Sequence, residues 1–302
     1  MNAPVAIIGA GAFGRALAKV VSHGGPVRLI GRRAADGVET DVRTELGGAA
    51  FVILAVSAQA TREVLVASAA SLPAAAPLIL AAKGVERSTG ALQSEIAEET
   101  APGHPVMALT GPSFADDLVE GLPTAITLAT VDETVGEAAQ ARLAGPTLRP
   151  YLSSDLIGAQ LGGALKNVIA IAVGAAAGMG LGDSARAALM TRGFAEMTRI
   201  AAARGGEAET LAGLSGLGDL ALTCSGPKSR NFAYGFALGA GETPREGVTY
   251  EGASTAAGAS EMAASLGVEA PIIDAVASIA RGEIDAAGAM SALLSRPLRR
   301  EG

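Results

Sequence analysis

A lysine within a strongly apolar segment is the residue of this sequence with the clearest potential for chemistry. Lys166 lies between the apolar runs 161–165 and 168–171, in a segment with apolar residues on nearly every helical face. Burial would lower the pKa of its ammonium toward a range that suits acid–base catalysis. We expect Gly162 and Gly163, one turn earlier, to leave room for a ligand beside it. The competing interpretation is a lysine that reaches solvent at a helix end or joins a structural ion pair.

A glycine-rich loop that ends in a carboxylate is the second candidate. Residues 213–218 read GLSGLG and precede Asp219, which could orient a lysine or simply cap the helix that follows. Shortly afterwards, Ser229, Arg230 and Asn231 bring together a cation and two neutral hydrogen-bonding groups. Arg230 fits a phosphate through charge-assisted hydrogen bonds, and Asn231 fits a hydroxyl.

Two further loops follow predicted strands. Lys83 comes after the apolar run 78–81, and Gly111 and Ser113 come after the run 106–109. Open α/β sheets bind ligands at the carboxyl ends of their strands, where both loops would lie. Lys83 alone could be an ordinary exposed lysine, but the Ser113 hydroxyl and nearby backbone N–H groups could meet a substrate phosphate. The two loops together predict one wall of a cleft.

The start of the chain carries a dinucleotide-binding pattern. Three glycines have the GxGxxG spacing, directly after a strand-like run at 5–8 and at the start of a helical pattern. Such glycines allow a sharp turn, a close approach to a pyrophosphate and an aimed helix N-terminus. A glycine-rich turn without a ligand is the alternative in a chain with 40 glycines. The residues of this loop expected to meet the coenzyme are Gly9, Gly11, Ala12 and Gly14.

The end of the second predicted strand bears on the choice of coenzyme. An acidic residue that binds the ribose hydroxyls of NAD usually stands about 20 residues after the glycines. Here the sequence instead reads Ile30-Gly31-Arg32-Arg33. Two arginines suit the 2′-phosphate of NADP, and two solvated loop arginines are the alternative. We predict NADP(H) as the coenzyme, with NAD(H) as a second one.

The elements that must position these residues change in character along the chain. Strand-like runs alternate with helix-length segments in the first half, which predicts a parallel sheet covered by helices. These runs are 5–8, 27–30, 51–56, 78–81, 106–109 and 125–129. From about residue 155, alanine-rich helical patterns take over, at 161–179, 184–204 and 255–265. We therefore predict an α/β fold, with a Rossmann-like doubly wound sheet in 1–153 and an all-α domain in 154–302.

Composition argues against several classes of partner. A net charge of −7 is unfavourable for binding a nucleic-acid backbone. With Cys224 as the single cysteine, no intramolecular disulfide can form, and two histidines add few soft metal ligands. We therefore expect a reducing cytoplasmic setting and no metal site. The chain opens without a signal-sequence pattern, which agrees with that setting.

The apolar residues of the second half are interpreted as core. The stretch 168–181 is shorter than the roughly 20 residues of a membrane span, so we expect a buried helix and no stable membrane insertion. Hydrophobic residues make up 49% of the chain but aromatics only 3%, which predicts small side chains packed around closely approaching backbones. Glu196 and Arg199, at helical spacing, are interpreted as a surface pair. An apolar helical domain also makes a homodimer plausible.

Motifs along nearly the whole chain resemble those of the bacterial NAD(P)-dependent glycerol-3-phosphate dehydrogenases. They occur in the order of that family: GAGAFG, AAKG, GPSFA, GGALKN, ARAALMTRGFAEM, GLSGLGDLALTCSGPKSRN and EGASTA. The glycine motif is shared by many enzymes, but GGALKN followed by GLGDL and SRN is specific to this family. The resemblance implies reversible reduction of dihydroxyacetone phosphate to sn-glycerol 3-phosphate, which supplies the backbone of glycerophospholipids.

The resemblance also implies roles for single residues. Lys166 would exchange the proton at the substrate's C2 oxygen, and Asp219 would help to order that lysine. The implied substrate contacts also include Lys83, Gly111, Ser113, Ser229, Arg230 and Asn231. The implied coenzyme contacts are Phe13, Arg32, Arg33, Lys83, Ala115, Arg230 and Glu251. Phe13 stands where the family commonly has Trp, and Thr249-Tyr250 precedes Glu251 where smaller apolar residues are usual.

Two other functions stay open at this point. A β-hydroxyacid dehydrogenase of the 6-phosphogluconate or hydroxyisobutyrate type joins the same two kinds of domain, although GLGDL and SRN weigh against it. A protein that binds NADP without turnover would keep the fold and lose the chemistry, since a fold alone does not establish catalysis. Intact Lys166 and Asp219 favour an enzyme.

Overall fold

A seven-stranded sheet forms the first half of the chain in the computed structural model, which describes residues 3–297. The strand order is β2-β1-β3-β4-β5-β6-β7; β1 to β5 are mutually parallel, and β6 and β7 run the opposite way. The strands are β1 Val5–Ile8, β2 Val27–Ile30, β3 Phe51–Leu54, β4 Leu78–Leu80, β5 Val106–Thr110, β6 Thr124–Ala129 and β7 Leu148–Ser153.

Helices cover both faces of this sheet. Alternate residues of β1 and β3 belong to two separate apolar clusters, as expected for strands buried on both sides. The helices of this half are α1 Ala12–Val21, α2 Val42–Leu46, α3 Thr61–Ser68, α4 Gln93–Thr100, α5 Ala115–Val119 and α6 Glu133–Leu143. The predicted Rossmann-like fold is confirmed, although the sequence analysis missed β7. That strand lies at the edge of the sheet, where Pro150 is tolerated because its missing N–H would face away from the neighbouring strand.

The second half is helical. Its helices are α7 Leu156–Gly178, α8 Gly182–Ala203, α9 Ala208–Ala212, α10 Asp219–Cys224, α11 Arg230–Gly239, α12 Glu251–Ser265, α13 Pro271–Ala280 and α14 Ala286–Leu294. A short π-helical segment, Leu214–Gly218, precedes α10. β7 ends at Ser153, and Asp155 caps α7 by accepting the N–H of Gly158 at 2.7 Å. The division of the chain into 1–153 and 154–302 stays a prediction.

Helix α7 is the centre of the helical half. By length and composition it could cross a membrane, with a mean hydropathy of 1.6 over 18 residues, but 89% of that window is buried inside the protein. Residues 168–176 are all buried, largely beneath α8, α11 and α12. The prediction of a buried core helix in this segment is confirmed.

Glycines set how closely α11 approaches α7. A Cβ at Gly174 or Gly178 would collide with backbone of α11, and a Cβ at Gly235 or Gly239 would collide with backbone of α7. The two helices therefore touch along their backbones, as the glycine-rich, aromatic-poor composition predicted. The first turn of α11 is also linked to the loop after β4, because Asn231 donates to Asn167 of α7 and Asn167 donates to the backbone carbonyl of Lys83.

Glu196 contradicts the interpretation of a surface pair with Arg199. Its side chain is buried, and its carboxylate accepts the backbone N–H groups of Ile272 and Ile273 at 2.9 to 3.2 Å. These N–H groups begin α13, so the carboxylate satisfies donors that a helix start leaves unpaired. Burial raises the pKa of Glu196 to about 7, against the two backbone hydrogen bonds, which lower it. The i, i+3 spacing alone could not reveal that α13 packs there.

Candidate active site

The predicted site residues of the first half follow strand ends along one edge of the sheet. Gly9, Arg32, Lys83 and Gly111 come directly or within three residues after β1, β2, β4 and β5, which all point the same way. Loops after parallel strands meet at their carboxyl edge, where α/β proteins of this class bind ligands. The loops that carry these residues therefore lie along that edge, and their role as one wall of a substrate cleft stays a prediction.

The three motif glycines have different physical reasons for being glycine. Gly9 has φ +119°, and a Cβ there would collide with the backbone of Ala55 after β3. A Cβ at Gly14 would collide with the carbonyl of Gly9. At Gly11 a Cβ would meet open space, and Gly11 is also the N-cap of α1 with no side-chain cap bond. The loop is thus tightly built on its inner side and open where a pyrophosphate could approach the helix N-terminus.

The other predicted coenzyme residues surround this loop to different degrees. Arg32 and Arg33 are exposed after β2, and none of their described contacts joins them to the lysines of the site. Phe13 is half-buried and packs against the core on one face of the sheet. Ala115 begins α5, and Glu251 begins α12. Burial raises the pKa of Glu251, against a hydrogen bond from the Ala58 backbone and the charge of Arg230, which lower it.

A carboxylate held between two lysines is the centre of the site. Asp219 accepts Lys166 Nζ at 2.9 Å through Oδ1 and Lys83 Nζ at 2.8 Å through Oδ2. Lys83 Nζ also donates to the carbonyl of Gly111 at 2.7 Å. The exposed fractions of the Lys166, Lys83 and Asp219 side chains are 7%, 15% and 2%. Asp219 thus joins α7 to the loop after β4, and it orients lysines instead of capping α10.

Burial and charge shift the protonation of this centre. Burial lowers the pKa of Lys166 to about 8; the charge of Asp219 raises it, and the charge of Lys83 lowers it. Burial also raises the pKa of Asp219, but the charges of Lys166 and Lys83 outweigh it and hold that pKa below its ordinary value. Asp219 is therefore ionised at neutral pH, and Lys166 can lose or gain a proton at a pH close to neutral.

Thr223 is a member of this centre that the sequence analysis missed. It lies one helical turn after Asp219, and its hydroxyl accepts Lys166 Nζ at 2.7 Å while donating to the carbonyl of Asp219 at 2.6 Å. The i, i+4 spacing within GLGDLALTC was the available signal. Two of the three ammonium N–H groups of Lys166 are thereby directed, and the third has no partner within residues 3–297.

The expected role of Gly162 and Gly163 is wrong. A Cβ at Gly162 would stand 2.6 Å from the carbonyl oxygen of Ser215, and a Cβ at Gly163 would collide with Thr110. The protein itself fills the space beside these glycines. Their absent side chains let α7 pack against the end of β5 and against the π-helical segment that leads to Asp219. The glycines therefore bring the lysine to its carboxylate instead of clearing space for a ligand.

The predicted phosphate residues form the start of α11. Ser229 is buried and caps the helix by accepting the N–H of Phe232 at 3.2 Å, and Asn231 is also buried, with partners inside the protein. Arg230 is exposed. In the loop after β5, the Ser113 hydroxyl donates to the carbonyl of Gly111 at 3.1 Å. Of the three residues at this helix start, Arg230 is the one whose side chain is exposed and can move to a ligand.

Comparisons with known proteins agree along the chain. Residues 37–136 match the domain described as the NAD-dependent glycerol-3-phosphate dehydrogenase N-terminus, and residues 155–291 match the corresponding C-terminus. The chain belongs to the NAD-dependent glycerol-3-phosphate dehydrogenase family. The matched N-terminal segment begins at residue 37, after the glycine motif, so the interpretation of that motif as a coenzyme loop rests on the geometry of the loop.

Individual family members show how much of the chain is shared. The chain is 47% identical to a glycerol-3-phosphate dehydrogenase [NAD(P)+] of Chelativorans sp. over 98% of both chains. It is 48% identical to the protein of the same name from Cereibacter sphaeroides, over 98% of this chain and 100% of that one. The crystal structure of glycerol-3-phosphate dehydrogenase from Coxiella burnetii has a TM-score of 0.92 and 32% identity, covering 98% and 99% of the two chains.

Proposed function

We propose that the protein catalyses the reversible reduction of dihydroxyacetone phosphate to sn-glycerol 3-phosphate with NADPH, and also with NADH. The observation that carries this proposal is the buried Asp219 held between Lys166 and Lys83 at the sheet edge beside an open glycine loop. The names of the relatives, which cover almost the whole chain, support the substrate and the coenzyme.

The protein's own groups suit the proton transfer and the orientation of the ketone. When bound, the nicotinamide coenzyme supplies the hydride. Lys166 would donate its third N–H to the C2 oxygen, where negative charge develops, and then give up the proton. Asp219 and Thr223 fix the ammonium on two sides, at 2.9 and 2.7 Å. Lys83 would bind the substrate from the opposite side of the carboxylate.

Charge balance supports an anionic substrate. Lys83 and Lys166 share the single carboxylate of Asp219, so the centre carries one net positive charge when both lysines are protonated. Arg230 adds a further cation at the N-terminus of α11, which is itself favourable for a phosphate. Gly111 and Ser113 stand at the facing loop after β5. This distribution supports a small substrate that has a phosphate at one end and a carbonyl near Lys166.

A turnover assay tests the proposed function directly. NADPH and NADH oxidation should be followed at one enzyme concentration with dihydroxyacetone phosphate, and in parallel with keto acids of the size that β-hydroxyacid dehydrogenases reduce. Rapid oxidation with the phosphorylated ketone alone supports the proposal. Turnover of the keto acids alone would favour a β-hydroxyacid dehydrogenase. Binding of NADPH without turnover of any substrate would favour a protein that binds the coenzyme but has no catalytic activity.

Removing the two arginines after β2 should reduce the preference for NADPH. Arg32→Ala with Arg33→Ala removes the positive charge available to the 2′-phosphate, so the NADPH to NADH ratio of kcat/KM should fall roughly tenfold or more. Arg43→Ala, which removes another exposed arginine of the same domain, is the matched control. An unchanged ratio in the double variant would mean that these arginines do not select the coenzyme.

Arg230→Ala should weaken use of the phosphorylated substrate. Loss of a charge-assisted hydrogen bond of roughly 1.5 to 3 kcal/mol should lower kcat/KM for dihydroxyacetone phosphate about tenfold to a hundredfold. Dihydroxyacetone, which lacks the phosphate, is the matched control substrate, and its slow reduction should change little. Equal losses with both substrates would show that Arg230 does not act on the phosphate.

We also propose a setting for the enzyme. The apolar helical half supports a homodimer, and the net charge of −7 supports a cytoplasmic protein without nucleic-acid partners. Burial of α7 inside the protein agrees with the absence of stable membrane insertion. In this setting the product would supply the backbone for glycerophospholipid synthesis.

A further inference from the structure

Arg15 is an exposed cation in the first turn of α1, directly after the last glycine of the coenzyme motif. Its Nε donates to the backbone carbonyl of Ala10, within the glycine loop, at 3.2 Å. Its Nη1 donates more weakly, at 3.5 Å, to the backbone carbonyl of Asp36. Asp36 belongs to residues 31–39, the excursion after β2 that we call the β2 loop. Arg15 therefore bridges the two loops at which the pyrophosphate and the ribose of a dinucleotide are expected.

The β2 loop begins in direct contact with the glycine loop. A Cβ at Gly31 would stand only 2.9 Å from the Cβ of Ala10, so the chain can leave β2 at this place only because residue 31 is glycine. Ala10 thus lies against Gly31 through its side chain and accepts Arg15 through its carbonyl. Arg32, the first of the two predicted coenzyme arginines, is the next residue along the chain. These contacts bring the Arg15 side chain to the loop that carries both of those arginines.

The balance of charge around the β2 loop depends on Arg15. Within that loop Arg32 and Arg33 are offset by Asp36 and Glu39, so the loop alone has no net charge. Arg15 adds one positive charge where the two loops meet. Among residues 3–297, none of the three arginines forms a salt bridge, so their guanidinium groups keep N–H donors for a ligand. Three such cations fit a phosphate monoester, which accepts charge-assisted hydrogen bonds from arginine.

We propose that Arg15 is a further specificity-determining residue, which binds the 2′-phosphate of NADPH together with Arg32 and Arg33. Its two backbone hydrogen bonds hold the guanidinium in place before the coenzyme binds, and its three remaining N–H groups donate to the phosphate. The alternative is a purely structural role, in which Arg15 fastens the β2 loop to the glycine loop and serves NADPH and NADH alike. The proposal rests on the coenzyme of the proposed function and is independent of its substrate.

Coenzyme binding separates these two roles without turnover. Fluorescence titration gives the Kd of NADPH and of NADH for each variant. The two coenzymes differ only in the 2′-phosphate, so the ratio of the two losses measures the coupling between residue 15 and that group. In Arg15→Ala, NADPH should bind roughly tenfold more weakly, whereas the Kd of NADH should change by less than about twofold. Equal losses for both coenzymes would assign Arg15 the structural role and overturn the proposal, as would no loss for NADPH.

Two other substitutions at position 15 separate charge from hydrogen bonding. Arg15→Gln keeps an NH2 donor for a backbone carbonyl but has no charge, so its loss of NADPH affinity should be almost as large as that of Arg15→Ala. Arg15→Lys keeps the charge without the forked donors, so it should retain part of the preference. A wild-type Kd ratio in Arg15→Gln would show that the hydrogen bonds to the loops, and not the charge, are what matters.

Lys19→Ala is the matched control. Lys19 is an exposed cation one helical turn after Arg15 on the same helix, and its Nζ donates to the backbone carbonyl of Val119 at 2.7 Å. Its removal changes the charge of α1 by the same amount, so neither Kd should change by more than about twofold. A loss for NADPH as large as that of Arg15→Ala would mean that the general charge of the helix acts and not a contact by Arg15.

The variant with Arg32→Ala and Arg33→Ala gives an independent check. It should still bind NADPH several-fold more tightly than NADH, because Arg15 remains, and adding Arg15→Ala should bring the two Kd values to within about twofold of each other. A preference that this addition leaves unchanged would overturn the proposal. If wild type binds NADPH no more tightly than NADH, the proposal fails, whereas reduction of dihydroxyacetone phosphate with NADH would still support the proposed function. If wild type binds NADPH but reduces no dihydroxyacetone phosphate, the proposed function fails and the Kd ratios still decide the role of Arg15.

Discussion

Replacing Lys166 by methionine should slow hydride transfer at least about a hundredfold while leaving NADPH binding nearly unchanged. Reduction of a ketone builds negative charge on the C2 oxygen, which must receive a proton in a site shielded from water. Lys166 is buried, and Asp219 and Thr223 hold two of its three N–H groups in place. Methionine fills a similar volume without a charge or a proton, so the fold should survive and the chemical step should not.

Single-turnover oxidation of NADPH, measured beside a fluorescence titration of the coenzyme, separates the chemical step from binding. Lys166→Arg is the informative second variant, because arginine keeps the charge but does not readily release a proton, so it should also be slow. In wild type, kcat/KM for ketone reduction should decline as the pH rises through the pKa of Lys166, about 8, because only the protonated lysine can act as the acid. A near wild-type hydride rate in either variant would assign the proton to Lys83 or to water.

The sheet edge and the residues along it could be predicted because their signals are local. A glycine pattern directly after a strand, a lysine after β4 and a Gly-Pro-Ser turn after β5 all lie within a few residues of the elements that place them. Parallel strands then bring their carboxyl ends together without further information. Lys166 was identifiable for a related reason, since a charge in an apolar helix requires a partner.

The residues that could not be predicted depend on which distant segments meet. The sequence predicts Glu196 at the surface, but α13 packs over it. The sequence likewise predicts open space beside Gly162, but the segment before Asp219 fills that space. Asn231 was a candidate, but its hydrogen bond to Asn167 joins positions 64 residues apart, which no periodicity connects. Helix periodicity tells which face of an element is apolar, but it does not tell which polar atom of another element will be there.

Asp219→Asn should have the second large effect, because it removes the shared counter-charge of two lysines. Asparagine has nearly the same shape, so packing around the side chain should persist. Lys166 and Lys83 would then face each other with a neutral amide between them, which breaks two ion pairs with buried or partly buried side chains. Leaving a buried charge without its partner typically costs about 3 to 5 kcal/mol. We expect kcat/KM at pH 8 to fall at least about a hundredfold.

The sign of the pH dependence distinguishes this account from simple loss of packing. Asp219 raises the pKa of Lys166, so its removal should lower that pKa further below about 8, and ketone reduction by the variant should decline at a lower pH than in wild type. For stability, a lysine whose pKa is lower in the folded than in the unfolded protein favours unfolding while it is charged. The variant's deficit in the free energy of unfolding should therefore shrink as the pH rises from the variant's lowered Lys166 pKa to the wild-type value of about 8, and it should level off above that pH, where Lys166 is neutral in both folded proteins.

Urea unfolding and kcat/KM profiles of Asp219→Asn across this pH range measure both effects. The control is Asp183→Asn, which removes the carboxylate of an exposed pair with Arg186 and should change stability by no more than about 1 kcal/mol. A deficit of equal size at every pH would mean that asparagine disturbs packing and that the lysines do not depend on the carboxylate. A deficit that narrows with rising pH, together with an acid-shifted decline in activity, would show that Asp219 keeps Lys166 protonated, which is the condition a proton donor for the C2 oxygen must meet.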